Sequence, residues 1–411
     1  MQYVRNQEYG DGRPSWGAYA QDHKPVLEQE SIEGHAVRAT LLCTGLIAAA
    51  RVNNRPEYYQ AAVRLWESMV YKRMHITGGV GAVHKEEKFG PDYFLPNDAY
   101  LETCAAIGAG FFHEGMNLAF ADARFADELE RVMYNGILNG ISQSGDTYYY
   151  QNPLQSHAKN RWRWHECPCC PPMLLKFMSA LPGYIYAHDQ KNIYISQYIG
   201  SEAEIDLPGN KINIQQKSDF PWQGKVTLTL KLEKSDEFTL FLRIPGWASG
   251  IENPGLLYSS SGDIQNQVKV SVNKKNIDSL SVVKGYAAIR KVWKSGDKIE
   301  LDIPMSVRRI YARSEVEANR GRVALGRGPL VYCLESVDNP FPLDIYRLKP
   351  DDAIFAEYDP AQLNGITMIT AQAWRAESSG LRPEKIRAIP FFAQNNRLRD
   401  VDLMVWIREA R

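Results

Sequence analysis

Net charge is missing from this 411-residue chain, in which lysine plus arginine number 48 and aspartate plus glutamate also number 48. A balanced chain has no global field to draw it to nucleic acid or to an anionic membrane, so a neutral small or polymeric ligand fits better. No stretch reaches the roughly 18 consecutive apolar residues of a membrane span. The opening Met1-Gln2-Tyr3-Val4-Arg5-Asn6-Gln7-Glu8 lacks the apolar core of an export signal. The location expected as written is cytoplasmic, with a periplasmic one open if the true start lies upstream. Fixed-period repeats and low-complexity tracts are also absent. Cysteine is scarce and uneven: Cys43 and Cys333 stand alone, Cys104 sits in Glu102-Thr103-Cys104, and Cys167, Cys169 and Cys170 crowd into His165-Glu166-Cys167-Pro168-Cys169-Cys170-Pro171-Pro172. That spacing excludes a disulfide framework and points to a metal or to thiolate chemistry.

What the chain does have is apolar material, 44% hydrophobic with 11% aromatic, enough for two or three packed cores. Up to about residue 188 the periodicity is helical, and the spacing predicts helices from Gly34 to about Arg51, from Glu57 to Met74 behind Pro56, from about Ala99 to Phe120 with Asn97-Asp98 as cap, from about Ala123 to Ile141, and from Pro171 to about Ala180. Beyond it the pattern alternates. Residues 192–196, 225–230, 238–244, 268–272 and 298–303 read as strands of antiparallel β-sandwiches. The expected fold class is α+β multidomain. Residues 1–187 are helical, 188–305 form a β-sandwich, and 306–411 form a second one, whose last strand (about 401–410) returns to the first. A closed toroid of six helical hairpins needs twelve helices, more than 200 residues at about 12 per helix with loops. The helical part is therefore expected to be about half of such a partial (α/α) barrel, leaving Leu41, Leu46 and Ile47 without certain partners.

Zinc accepts thiolates and carboxylates, and Glu102, Cys104, Cys169 and Cys170 supply the four ligands of a closed tetrahedral site. Residues two apart on a regular helix point about 200° away from each other, so Glu102 and Cys104 can share an ion only at a helix start or in unwound backbone. Pro171-Pro172 suits a helix beginning beside Cys170, and helix N-termini lower thiol pKa values. The residues alone leave a purely structural zinc knot open. A catalytic site also needs a proton donor, for which Glu86 and Glu87 in the loop Thr77–Phe89 are candidates. Read alone, both are solvated surface charges.

Further stretches carry a resemblance: Gln21-Asp22-His23-Lys24-Pro25-Val26, Thr77-Gly78-Gly79-Val80-Gly81, Leu95-Pro96-Asn97-Asp98, Glu130-Arg131-Val132-Met133-Tyr134-Asn135-Gly136, Leu242-Arg243-Ile244-Pro245-Gly246-Trp247-Ala248 and Arg327-Gly328-Pro329-Leu330-Val331-Tyr332. With the double-cysteine block and Glu102-Thr103-Cys104, they make the chain resemble glycoside hydrolase family 127, the β-L-arabinofuranosidases, and its relative family 146. The resemblance implies a retaining hydrolase that removes β-L-arabinofuranosyl residues from an oligosaccharide or polysaccharide. It implies Cys169 as nucleophile, Glu87 as acid/base with Glu86 as a minor alternative, zinc on Glu102, Cys104, Cys169 and Cys170, and sugar contacts from His35, Glu130 and Tyr150. Without the family, His35 is a hydrogen-bonded core histidine, Tyr150 is packing, Glu130 is a solvated helix face, and Cys43, Cys167 and Cys333 are structural.

The family carries a long helical stretch before the segment matching Gln21-Asp22-His23, so the resemblance implies a fragment or wrong start, a separate N-terminal chain that completes the fold, or a chain inactive alone, with a homo-oligomer as the other partner left open. A zinc-stabilised carbohydrate-binding remnant is the competing reading. A thiol redox protein is weaker, because no thioredoxin-like Cys-x-x-Cys unit occurs.

Overall fold

The computed structural model describes residues 15–261 and 268–410. The opening residues read for an export signal lie outside them.

Among the described residues, five α-helices occupy the first half: α1 (Ala36–Asn53), α2 (Pro56–Lys72), α3 (Thr103–Phe120), α4 (Ala123–Arg131) and α5 (Cys170–Ala180). Helix α1 is capped by His35, whose side chain accepts the Arg38 N–H, and it stops at Asn54 in the left-handed region at φ 48°. Proline stands at the start of α2 and again inside the first turn of α5, where its missing N–H costs nothing. The predicted third helix begins four residues late, at Thr103, with Glu102 as N-cap. Asn97 is instead fastened by backbone bonds from Leu154 and Gln155. The predicted fourth helix is regular only to Arg131 and continues as a π-turn over Val132–Ile137. There the Asn135 amide donates to Arg131 and Pro329 carbonyls and accepts the Val331 N–H, tying the helix to a β-strand.

Helices α1, α2, α3 and α4 share a core of Ile47, Leu65, Trp66, Met69, Phe112 and Phe125, in which the Trp66 indole donates to His113 Nδ1 at 2.8 Å. The expectation that Leu46 and Ile47 lack partners is thus corrected: both are buried here, and Leu41 packs half-buried against the neighbouring core. The outward-facing apolar residues of the helical unit include Leu42, Leu175 and Met178. Among the described residues, no helix is long and apolar enough to cross a membrane.

The middle unit is a two-sheet sandwich, six strands over five. Strand Lys225–Leu232 shows the alternation that makes it, with Val226, Leu228, Leu230 and Leu232 turned inward against Ile193, Leu240 and Trp293. One pair departs from the expected antiparallel pattern, Asn192–Ile195 running parallel to Asp236–Arg243.

The C-terminal unit is not the second sandwich expected. Among the described residues, its nine strands join Gln155–Ser156 and Tyr258–Ser261 in one 11-stranded sheet, in which the strands 330–335, 380–390, 366–377, 346–348, 407–409 and 322–327 pair in succession and the last returns to the first, closing a ring. The chain's last strands, Leu403–Met404 and Ile407–Glu409, pair inside this sheet, so the expected return to the first sandwich does not occur. The reason lies in their side chains: Met404 and Ile407 are buried in the core shared with the helices, and Leu403 in the one shared with the loop residues Leu95, Leu101 and Leu154. One continuous core joins Phe111, Leu129, Met133 and Phe177 of the helical unit to Leu325, Tyr332 and Leu334 of the ring. The starts of α3 and α5 therefore stand on a rigid floor.

Candidate active site

The site is built where two helices begin. Glu102 is the N-cap of α3 with Cys104 in its first turn, and Cys169 is the N-cap of α5 with Cys170 as its first residue. Extended backbone at Glu102 (φ −64°, ψ 137°) gives it and Cys104 the shared direction that a continuous helix denies. Leu101 just before it is forced into the left-handed region at φ 45°. The start of α3 is locked from outside: Thr103 donates its N–H to Tyr150 O at 2.9 Å and its hydroxyl to Tyr149 O at 2.7 Å. Asn152 donates to the Thr103 hydroxyl at 2.7 Å and accepts from Asn139 at 2.9 Å.

The ligand atoms of Glu102, Cys104, Cys169 and Cys170 all lie within 4.8 Å of one another. Sulfur separations are 3.5 Å for Cys104 to Cys170 and 3.8 Å for Cys169 to Cys170, and Cys169 Sγ is 3.2 Å from Glu102 Oε1. These are too long for a disulfide. They match the edges of a tetrahedron, since two sulfurs each about 2.3 Å from a common cation stand about 3.8 Å apart. Glu102 Oε2 is buried and has no hydrogen-bond partner among the described residues. The donor set and the orphaned oxygen fit a bound metal ion.

Electrostatics separates these groups. Hydrogen bonds from the thiols of Cys104 and Cys170, and from the Tyr150 hydroxyl, hold Cys169 far below the usual thiol range. Cys104, donating to that thiolate, is pushed up. Burial, then the charge of Cys169, raises Glu102. Of the three thiols, Cys169 is the one that carries charge most readily, and it is also the one left partly exposed.

Glu87 faces this cluster. Its Oε1 accepts from the Tyr100 hydroxyl at 2.7 Å and its Oε2 lies 2.9 Å from His35 Nε2. Because His35 Nδ1 accepts the Arg38 N–H, the ring proton sits on Nε2 and donates to Glu87. His35, Glu87 and Glu102 offer ligand atoms within 4.8 Å of one another. Glu86 points the other way, exposed and paired to Lys88 at 2.6 Å. The loop separates the two glutamates by placing both in the left-handed region, φ 64° and 50°. Gly81, at φ +86°, lets the same loop approach α1 where a Cβ would stand 2.7 Å from that of Ala36.

The structure brings together all the expected site residues but one. Tyr150, 6% exposed, lies against Cys169, with His165 5.0 Å from its ring. Glu130 stands apart. It is neither the solvated face that its helical position suggested nor beside the thiols: buried, it pairs with the fully buried Arg243 and accepts from the Trp247 indole at 2.9 Å. Removing it leaves Arg243 with Asp127 alone (2.5 Å), so Glu130→Ala should cost roughly 3–5 kcal/mol of stability, measured by denaturant unfolding. A loss below about 1 kcal/mol would show that Asp127 suffices. Cys43 and Cys333 are buried as expected, whereas Cys167 is exposed. Sequence reasoning missed Tyr100, whose only signal was its place two residues before Glu102.

Three family models match successive parts of the chain: the GH127 β-L-arabinofuranosidase catalytic domain over residues 3–183, the middle domain over 192–305, and the C-terminal domain over 307–408. The chain belongs to glycoside hydrolase family 127. It is 33% identical to a non-reducing end β-L-arabinofuranosidase of Bifidobacterium longum subsp. longum over 92% of its own length and 60% of that protein's. A solved GH127 β-arabinofuranosidase superposes with a TM-score of 0.91 at 38% identity, over 96% of this chain and 63% of that one. A GH127 β-L-arabinofuranosidase from Geobacillus stearothermophilus T6 does so at 0.88 and 37%, with the same coverage. This family 127 chain thus spans about 60% of the length of the curated relative it matches.

Proposed function

We propose that this chain carries the catalytic centre of a retaining β-L-arabinofuranosidase, with Cys169 as nucleophile, Glu87 as acid/base and zinc as the resident ion. The observation that supports it most is the pairing of a low-pKa, partly exposed thiol with a carboxylate held by two neighbours across from it. Zinc on Glu102, Cys104, Cys169 and Cys170 would keep the thiols ionised at neutral pH.

The chain's own residues do the rest. Cys169 Sγ bonds to the anomeric carbon as the bond from that carbon to the leaving oxygen breaks, and Glu87 delivers its proton to that oxygen. A water oxygen then bonds to the same carbon, the carbon–sulfur bond returns its electron pair to Cys169, and Glu87 takes the water's proton. Two inversions give net retention. His35 and Tyr100 orient Glu87, and the Tyr150 hydroxyl steadies the Cys169 thiolate. On this reading the five α-helices belong to an (α/α) toroid, and Leu42, Leu175 and Met178 mark where further hairpins would pack.

The test is hydrolysis of an aryl β-L-arabinofuranoside in the presence of methanol, followed by NMR from the first turnover. The methyl β-L-arabinofuranoside is the expected product. The α-anomer, or no turnover by folded, zinc-loaded protein, overturns the reading.

A further inference from the structure

Beyond the thiol cluster, one open groove of about 730 Å³ has no part in the chemistry above. It runs between the ribbon segment 160–164 and the loop 395–399 of the C-terminal unit. The ribbon ties it to the site: Tyr148 and Trp162 exchange backbone hydrogen bonds at 2.8 Å, and the Trp162 ring packs with Tyr150 and stacks on His165 at 4.5 Å. The groove's Trp162 therefore packs on the same Tyr150 whose hydroxyl meets Cys169.

Its floor is fixed before any ligand arrives. Asn160 and Asp400 bond each other twice, at 2.6 and 3.0 Å. Asn395 donates to the Tyr149 hydroxyl at 2.7 Å, and Arg397 is neutralised by Glu335 and Asp338. Three side chains on this rigid base are unspent. Trp164 is 73% exposed, Arg399 has no ion pair or hydrogen bond among the described residues, and Arg163 reaches only Asp146, at 3.8 Å and with both side chains largely in solvent. An exposed indole beside one unpaired guanidinium, Arg399, and one held only loosely by Asp146, Arg163, is the chemistry that receives a sugar ring on its apolar face and a carboxylate at its edge. A preorganised floor keeps the ordering cost of binding low.

We propose that this groove binds the part of the substrate beyond the cleaved sugar, and that this part is an anionic, uronate-bearing glycan. The proposal extends the glycosidase reading but is tested by binding alone, so the two can fail separately. The probe is de-esterified polygalacturonate, with neutral arabinan as the comparison, in affinity electrophoresis and calorimetry on the 411-residue protein. Binding of the uronate polymer should exceed that of arabinan. It should weaken as salt rises from about 50 mM to 0.5 M, and fall roughly tenfold in Trp164→Ala/Arg399→Ala. Arg399→Lys should keep most of the affinity, and hydrolysis of the aryl arabinofuranoside should be unchanged in all these variants. Equal binding of arabinan, or uronate binding that survives the double substitution, overturns the proposal. Failure of arabinofuranoside hydrolysis with uronate binding intact would overturn the catalytic reading and leave the groove standing.

Discussion

Glu87→Gln should lower kcat by about 10²- to 10⁴-fold with little change in KM, whereas Glu86→Gln should stay within about twofold of the parent. The asymmetry follows from the backbone. Two consecutive left-handed residues turn one carboxylate to Tyr100 and His35 and the other outward to Lys88. A general acid acts on a proton that moves only in the transition state, so removing it spares ground-state binding. The loss should shrink in the first half-reaction for an aryl substrate whose leaving oxygen needs no proton, which pre-steady-state bursts of released phenol can measure. A damaging Glu86→Gln beside a silent Glu87→Gln would reverse the assignment. Tyr100→Phe gives a graded companion test: the carboxylate keeps His35 but loses one donor.

How much of this site could be read before its geometry was known depended on the range of the interaction. The rule that i and i+2 diverge on a helix is local, and for Glu102 and Cys104 it left a helix start or unwound backbone, although the predicted helix began four residues too early to make Glu102 its N-cap. The Pro171-Pro172 signal for α5 was local as well. Glu130 failed for the opposite reason. Its partners Arg243 and Trp247 lie more than a hundred residues away, and no periodicity shows that an acidic helix position faces a buried arginine rather than water. The ring closure between residues 322–327 and 330–335 is equally non-local in its consequence. Residues 306–411 were read only as sandwich material with no strand placed among them but the last (about 401–410), and the pairing order alone distinguishes a ring from two sheets. The π-turn at Val132–Ile137 was hidden because its apolar positions keep a helical spacing although Val132, Asn135 and Gly136 are weak helix formers, and Asn135 ties it to Pro329 and Val331. Tyr100, in contrast, was visible in position and unread in role, since one tyrosine among many carries no spacing signal.

Zinc content should fall from one per chain to nearly none in Cys170→Ser, with arabinofuranosidase activity lost alongside it. Cys170 is 1% exposed and opens α5, its sulfur 3.5 Å from that of Cys104 and 3.8 Å from that of Cys169. A hydroxyl there is a poorer and shorter donor, and the remaining three atoms no longer close a tetrahedron. Metal-site free energies of about 10–16 kcal/mol are folding free energies only in small zinc domains that have no other core. The site here is braced by the continuous core under α3 and α5, so the variant should stay folded and lose metal before it loses structure. Elemental analysis and circular dichroism on the same sample separate the two outcomes. Cys167→Ser serves as the control: exposed and outside the four-atom cluster, it should keep the full metal content. Unchanged zinc in both Cys169→Ser and Cys170→Ser would sink the metal site. Loss of zinc with activity retained would confine the ion to bracing the helix starts, and the low pKa of Cys169 would then rest on the hydrogen bonds from Cys104, Cys170 and Tyr150 alone.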